Sequence, residues 1–158
     1  MTQELLSRAL ATFYEAKKAQ DTNIFRTLLC LEGGWEGWFQ ADFALFLTRN
    51  NINYGREVPY PAFKSLRADF CIDGDTFLEI KCASFLTDPE KFIQGIENDI
   101  AKLTRCIQAP NKMVICFFPD NPEWNTYMAN SILAPNNFEL IIKEPSEPSI
   151  CCFGKIIP

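Results

Sequence analysis

Residues 66–83 constrain the fold of this chain more than any other stretch, because they read as two apolar strands joined by a turn. Side chains alternate along a strand, so Asp69 points to the side opposite to Phe70 in the first strand. In the second strand Glu79 and Lys81 share one side. These three charged side chains can converge on one patch only if the turn aligns the two strands correctly.

The length of the turn decides on which face Asp69 lies. Facing residues of an antiparallel pair point the same way, so placing Asp69 opposite Glu79 requires an odd-length connection centred on Gly74. A two-residue Asp73-Gly74 hairpin would instead place Asp69 opposite Leu78 and on the wrong face. We therefore predict a three- or five-residue connection, or a bulge.

The absence of histidine excludes several kinds of active site. Without imidazole the chain has no Ser/His or Cys/His nucleophilic pair, no zinc protease helix and no histidine-based nuclease finger. The seven cysteines lie mostly within apolar runs, and none forms a CxxC pair, which indicates buried, reduced thiols rather than a disulfide framework or a zinc site. Catalysis, if present, must use carboxylates, lysine, hydroxyls or thiols.

Apolar periodicity and turn residues divide the chain into alternating helices and strands. The run at 113–118 is apolar throughout, which is typical of a strand covered on both faces. Asp88-Pro89-Glu90 predicts a helix start. The predicted helices cover 2–19, a segment from 24 to the glycines at 33 and 34, 35–47, 90–106 and 123–133; the predicted strands cover 52–58, 66–72, 77–82, 113–118, 138–142 and 150–156.

The helix predicted over 35–47 is apolar around most of its circumference and carries Glu36 and Gln40 on one face. A buried carboxylate costs free energy unless a cation or hydrogen-bond donors lie nearby. Glu36 is therefore either a site ligand or an ordinary first-turn acid that favours the helix N-terminus.

Residues 49–67 form a locally basic stretch in a chain whose formal net charge is -5. Glu57 is the one acid among four basic side chains, and Tyr54 and Tyr60 are interspersed with them. Such a surface can bind a phosphate backbone, although many short basic runs are only solvated faces. The basic residues are Arg49, Arg56, Lys64 and Arg67.

Asp69, nine intervening residues and Glu79-Ile80-Lys81 resemble the motif of the PD-(D/E)XK nuclease superfamily, which has the restriction-endonuclease-like fold. Glu36 matches the helical glutamate of many members, and the residue before the aspartate is Ala68 where the motif has proline. The resemblance covers roughly residues 24–118. It implies a single α/β domain over 1–158 with an αβββαβ core, a mixed central sheet flanked by helices, and a C-terminal extension over 119–158.

The resemblance also implies a metal-dependent nuclease that hydrolyses phosphodiester bonds of nucleic acid, DNA in preference to RNA. Mg²⁺, or Mn²⁺, would be held by Asp69, Glu79, the carbonyl of Ile80 and Glu36. Lys81 would orient or activate the attacking water and offset charge in the transition state. The residues expected to bind substrate are Gln40, Arg56, Lys64, Arg67, Gln94 and Lys102.

Two simpler interpretations stay open at this point. Glu79 and Lys81 can be an ion pair on a half-exposed hairpin, and the chain can be a catalytically silent member of the fold that binds a protein partner. An acidic chain favours the silent module, because free-standing nucleases are commonly basic, whereas a homodimer or larger complex would supply positive surface. The first residues lack a secretory signal pattern, and no apolar run is long enough to span a membrane, so we expect a cytoplasmic protein without a membrane partner.

Overall fold

The protein is described here from a computed structural model that covers residues 3–31, 35–61, 63–143 and 149–158. Thr2 and the glycines at 33 and 34, which the sequence placed in or after the first two helices, lie outside the described residues. The helices are α1 (Gln3–Gln20), α2 (Ile24–Leu29), α3 (Glu36–Arg49), α4 (Pro89–Arg105), α5 (Pro122–Met128), which continues as a π-helical segment (Ala129–Leu133), and α6 (Ala134–Asn136). The strands are β1 (Tyr54–Tyr60), β2 (Phe63–Ile72), β3 (Thr76–Cys82), β4 (Asn111–Asp120), β5 (Glu139–Lys143) and β6 (Ser149–Ile156).

The six strands form one mixed sheet in the order β1-β2-β3-β4-β6-β5. The β3 and β4 strands are parallel and are joined by α4, whereas the other neighbouring strands are antiparallel. A parallel pair needs such a crossover, because a tight hairpin can join only antiparallel strands. The predicted α/β class with a mixed sheet is therefore confirmed.

Helices cover both faces of the sheet, as the apolar run at 113–118 indicates. Alternate β4 residues lie in two different cores: Ile115 packs in the core that contains α1, α2 and α3, and Cys116 packs in the core that contains α4 and α5. Because β4 is buried on both sides, it has no polar face. The first core is rich in aromatic rings and includes Phe13, Phe39, Phe43, Phe70 and Phe117.

The start of α4 follows the predicted pattern. Pro89 occupies the first turn, and the Asp88 side chain accepts hydrogen bonds from the backbone N–H groups of Glu90 and Lys91. The apolar side of α4 is buried through Phe92, Ile93, Ile96 and Leu103. This orientation also turns Asp99 toward the sheet, where it is buried.

Several boundaries differ from the prediction, and two of the differences have a clear local explanation. We expected β1 to end before Pro59, but the strand continues to Tyr60, and Pro59 faces Arg67 of β2. Proline is tolerated here because β1 is an edge strand and needs hydrogen-bond partners on one side only. The helix expected over 123–133 begins at Pro122, with the Asn121 side chain as its cap, and changes to π-helical geometry from Ala129.

All seven cysteines are free, and every one except Cys30 is buried. None of the helices in the described part of the chain is long and apolar enough to cross a membrane.

Candidate active site

The connection between β2 and β3 has three residues, as predicted. Ile72 faces Thr76 across the hairpin, so Asp73, Gly74 and Asp75 make the turn. The φ angles of Asp73 and Gly74 are 52° and 74°, which suits a type I′ turn, and Asp75 is the extra residue that shifts the register. With Phe70 facing Leu78, alternation places the Asp69 position on the same face as Glu79 and Lys81.

Asp69 lies where the regular pairing of β2 with β3 stops. The ladder extends from Ile72 and Thr76 to Phe70 and Leu78. One residue further, the Asp69 carboxylate rather than a backbone carbonyl accepts the Ile80 N–H, at 2.7 Å. Burial raises the pKa of the Asp69 carboxyl, while the Ile80 hydrogen bond and the charge of Lys81 partly oppose the rise.

Glu79 is almost fully buried, with 2% of its surface exposed. Its Oε1 atom accepts a hydrogen bond from the Tyr60 hydroxyl at 2.5 Å and lies 2.6 Å from the Lys102 ammonium. Burial and the neighbouring charge of Asp99 raise the pKa of Glu79 to about 7, although Lys102 and Tyr60 favour the ionised form. The Tyr60 ring stacks on Phe77, which holds the hydroxyl in place.

Lys81 lies between two carboxylates from different helices. Its Nζ atom is 3.5 Å from Glu36 Oε1 of α3 and 3.3 Å from Asp99 Oδ2 of α4. Burial by itself lowers the pKa of Lys81, but the charges of Asp99 and Glu36 outweigh it and the pKa is raised. Burial also raises the pKa of Glu36, against the opposing charge of Lys81.

Asp99 connects the two lysines. Its Oδ1 atom lies 3.2 Å from Lys102 Nζ, one turn further along α4, and its Oδ2 atom faces Lys81 as an ion pair without hydrogen-bond geometry. Six side chains thus form what we term the charged cluster: Glu36, Asp69, Glu79, Lys81, Asp99 and Lys102.

Sequence reasoning missed two residues of this site. Asp99 was recognisable as an acid spaced three residues before Lys102, but a single helix does not tell whether such a pair faces the sheet or solvent. Tyr60 was placed in the basic stretch 49–67, beyond a strand expected to end before Pro59, and its contact with Glu79 was not predicted. The stacking of Tyr60 on Phe77 depends on two strands that are not adjacent in the sheet.

The side chains of the other predicted substrate-binding residues lie apart from these ion pairs, although the Arg67 carbonyl accepts a hydrogen bond from Lys102. Arg56 donates to Gln40 at 2.8 Å and lies over the Phe70 ring, which links β1 to α3. The remaining three are exposed: Arg67 donates to the Glu57 carbonyl, Gln94 to Asn98, and Lys64 lies on β2. The structure therefore brings Lys102 into the cluster and does not bring Gln94 there.

Comparison of the chain with protein-family models, curated proteins and solved structures gives no match. The chemistry of the site must therefore be argued from its own side chains.

The oxygen atoms of the charged cluster suit a hard divalent cation. Four carboxylates face two ammonium groups, so the cluster carries a formal charge of about -2 when all groups are ionised. Among the described residues no three or more acidic or sulfur side chains are placed to hold one metal ion together. Mg²⁺ is commonly bound through only one or two carboxylates and keeps several waters, so two acids are enough in number to hold it.

The metal-free protein should lose stability as pH rises from about 4.5 to about 7. The folded state raises the pKa of Glu79 from 4.5 to about 7, so it binds a proton in this window that the unfolded chain releases. The raised pKa values of Asp69 and Glu36 act in the same direction. We expect the Glu79 contribution to the free energy of unfolding to fall by at most about 3 kcal/mol across the window, measured by urea denaturation.

The matched pair Glu79→Gln and Glu97→Gln isolates this contribution, because Glu97 is exposed on α4. Glu79→Gln should flatten the pH dependence, since glutamine keeps the shape of the side chain without a titrating proton. Glu97→Gln should retain the slope of the wild type. Equal slopes in the wild type and Glu79→Gln would contradict the assignment.

Proposed function

We propose that this protein is a divalent-metal-dependent nuclease with a restriction-endonuclease-like core. The observation that supports this best is the alignment, by a three-residue turn, of Asp69 with Glu79 and Lys81, next to Glu36 of a preceding helix. The order α3-β1-β2-β3-α4-β4 also agrees with an αβββαβ core. A chance polar face on a hairpin would not be expected to gather acids from both flanking helices, the half-buried Glu36 of α3 and the buried Asp99 of α4.

Asp69 and Glu79 would hold Mg²⁺ or Mn²⁺, with the Ile80 carbonyl as a further oxygen ligand and Glu36 acting through a coordinated water. The N–H and C=O of one strand residue point to the same side, so the Ile80 carbonyl faces the side of β3 on which Asp69 accepts the Ile80 N–H. The bound ion would neutralise the acids and make its coordinated water more acidic.

The chain's own residues account for positioning and charge. Lys81 is fixed by Glu36 and Asp99, so its ammonium can orient the attacking water and offset negative charge that develops on the phosphoryl oxygens. Glu36 would position a water or a second ion. In the net reaction water would add to phosphorus and lose a proton, one P–O ester bond would break, and the leaving oxygen would take up a proton.

Nucleic acid would approach along the β1–β2 hairpin. Lys64 and Arg67 are exposed there, and Arg56 lies on the adjacent strand. DNA is the preferred substrate in this proposal. Because the whole chain is acidic, a homodimer or a protein partner would supply further positive surface.

A catalytically silent module that binds a protein partner is the second candidate. It is favoured by the engagement of both cluster lysines in ion pairs within the protein. The same cluster would then serve to hold α3 and α4 against the sheet.

The two candidates differ in their response to metal and nucleic acid. For the nuclease we expect Mg²⁺ or Mn²⁺ at one hundred times Kd to raise the free energy of unfolding of the wild type by about 2.7 kcal/mol, and its melting temperature with it. Supercoiled plasmid should be cleaved, structured RNA more slowly, and Lys81→Ala should abolish cleavage. Lys91→Ala, an exposed change on α4, is the control and should cleave like the wild type. A folded wild type that neither gains stability from metal nor cleaves either substrate would favour the silent module.

A further inference from the structure

The ammonium group of Lys102 lies in an arrangement of oxygens typical of a cation site. Lys102 Nζ is 2.6 Å from Glu79 Oε1, 3.2 Å from Asp99 Oδ1 and 3.4 Å from the Arg67 carbonyl oxygen. It also lies 5.9 Å from the centre of the Tyr60 ring, within the range of a cation–π contact. The side chain of Lys102 is 20% exposed, so this charge is largely withdrawn from solvent.

This arrangement places an internal cation on a carboxylate proposed to bind metal. Glu79 is 2% exposed and would be a buried, uncompensated charge without Lys102. A divalent ion that binds Glu79 must therefore displace an ammonium that already neutralises it. The apparent affinity for the ion then equals the intrinsic affinity multiplied by the fraction of molecules in which Glu79 is not paired with Lys102.

Asp99 offers a place for the displaced ammonium. Lys102 already contacts Asp99 Oδ1, and the two residues are one turn apart on α4. A small shift of the flexible lysine side chain toward Asp99 would release Glu79 without leaving either charge unpaired. Asp99 also holds Lys81, so the shift would be felt at both lysines.

We propose that Lys102 is a built-in counter-cation of Glu79 that competes with the divalent ion, and that Asp99 is the positioning residue that receives Lys102 when the ion binds. This inference rests on the proposed function, because it takes Asp69 and Glu79 as ligands of the ion. It assigns Lys102 to control of metal affinity rather than to contact with nucleic acid.

Titration calorimetry with Mg²⁺ and with Mn²⁺ alone tests the inference without any substrate. Lys102→Met should bind the ion about tenfold more tightly than the wild type, because the competitor is gone. The same variant should melt at a lower temperature in the absence of metal, because Glu79 loses its cation and Asp99 keeps only Lys81. It should also gain more stability from added metal than the wild type does. Lys91→Met, on the exposed side of α4, should match the wild type in both measurements.

A double-mutant cycle tests the role of Asp99. Asp99→Asn alone should weaken ion binding about tenfold, because the displaced ammonium loses its acceptor and the cluster loses a negative charge. In the Lys102→Met background the same change should have a smaller effect. Equal effects in both backgrounds would overturn the assignment of Asp99.

The outcomes separate this inference from the proposed function. If the wild type and Lys102→Met bind the ion with equal affinity, Lys102 does not compete with the ion, and the proposed metal site is unaffected. Binding by neither protein would overturn both. Should Lys102→Met fail to fold, Lys102→Gln keeps a hydrogen-bond donor for Glu79 without a charge, and the same increase in affinity is required of it.

Discussion

Asp69→Asn should lower the rate of metal-dependent phosphodiester cleavage by at least about a hundredfold, because it removes one of the two charges proposed to hold the ion. The amide oxygen can still accept the Ile80 N–H, so the local backbone should keep its geometry. Burial raises the pKa of the Asp69 carboxyl, which means that the ionised group destabilises the metal-free fold. The variant should therefore lose activity without losing stability. Plasmid cleavage at saturating Mg²⁺, together with thermal melting of the metal-free protein, measures both quantities.

Asp73→Asn is the matched control for this change. Asp73 is exposed in the same hairpin turn, four positions along the chain, and has a φ of 52° that asparagine also adopts readily. It should cleave plasmid at the rate of the wild type. An Asp69→Asn protein that is folded and fully active would rule out the proposed role of Asp69.

Phe39→Ala should lower the free energy of unfolding by about 3–5 kcal/mol, the usual cost of deleting a buried aromatic side chain. Phe39 is 1% exposed, and its ring packs against those of Phe13, Trp35, Phe43 and Phe117, with centroid distances between 4.7 and 6.1 Å. It thereby fixes α3, the helix whose first turn carries Glu36, to β4. Urea denaturation measures the loss, which corresponds to a melting temperature lower by about 10 °C.

Leu45→Ala provides the comparison on the same helix. Leu45 is 53% exposed, so its removal should change the free energy of unfolding by about 0.5 kcal/mol or less. A loss in Phe39→Ala no larger than that in Leu45→Ala would contradict the packing described for α3.

Local chemistry explains why much of the fold could be predicted. The start of α4 depends on local geometry alone, because the Asp88 side chain accepts hydrogen bonds from the first backbone N–H groups and Pro89 fits the first turn. The apolar run at 113–118 can be hidden from water only if both sides of its strand are covered. Because side chains alternate along a strand, the face of Asp69 depended only on whether the β2–β3 connection has an odd or an even number of residues. The connection has three residues, so Asp69 lies on the face of Glu79. Pro59 misled the prediction because the penalty for proline in a strand depends on whether that strand is at an edge, which is a property of the whole sheet.

The candidate site was predictable in part for the same reason. Glu79 and Lys81 share a face through strand alternation alone, whereas the pairing of Lys81 with Asp99 depends on how α4 rotates against the sheet. The rotation of α4 about its axis is set by burial of the apolar stripe that includes Phe92 and Ile96, and this rotation also determines where its charged side chains point. Gln94 is exposed on that helix and donates a hydrogen bond to Asn98, so its contact with substrate stays a prediction.

The sequence by itself limited which chemistry is possible: with no histidine, any catalysis must use carboxylates, lysine, hydroxyls or thiols. It also determined the alternation that puts Glu79 and Lys81 side by side. The tertiary structure decided the partners of these groups, Tyr60 and Lys102 at Glu79, and Glu36 and Asp99 at Lys81. The physical reason is burial, because a charge withdrawn from water must find its counter-charge in whatever element packs beside it, and that element can be distant in sequence.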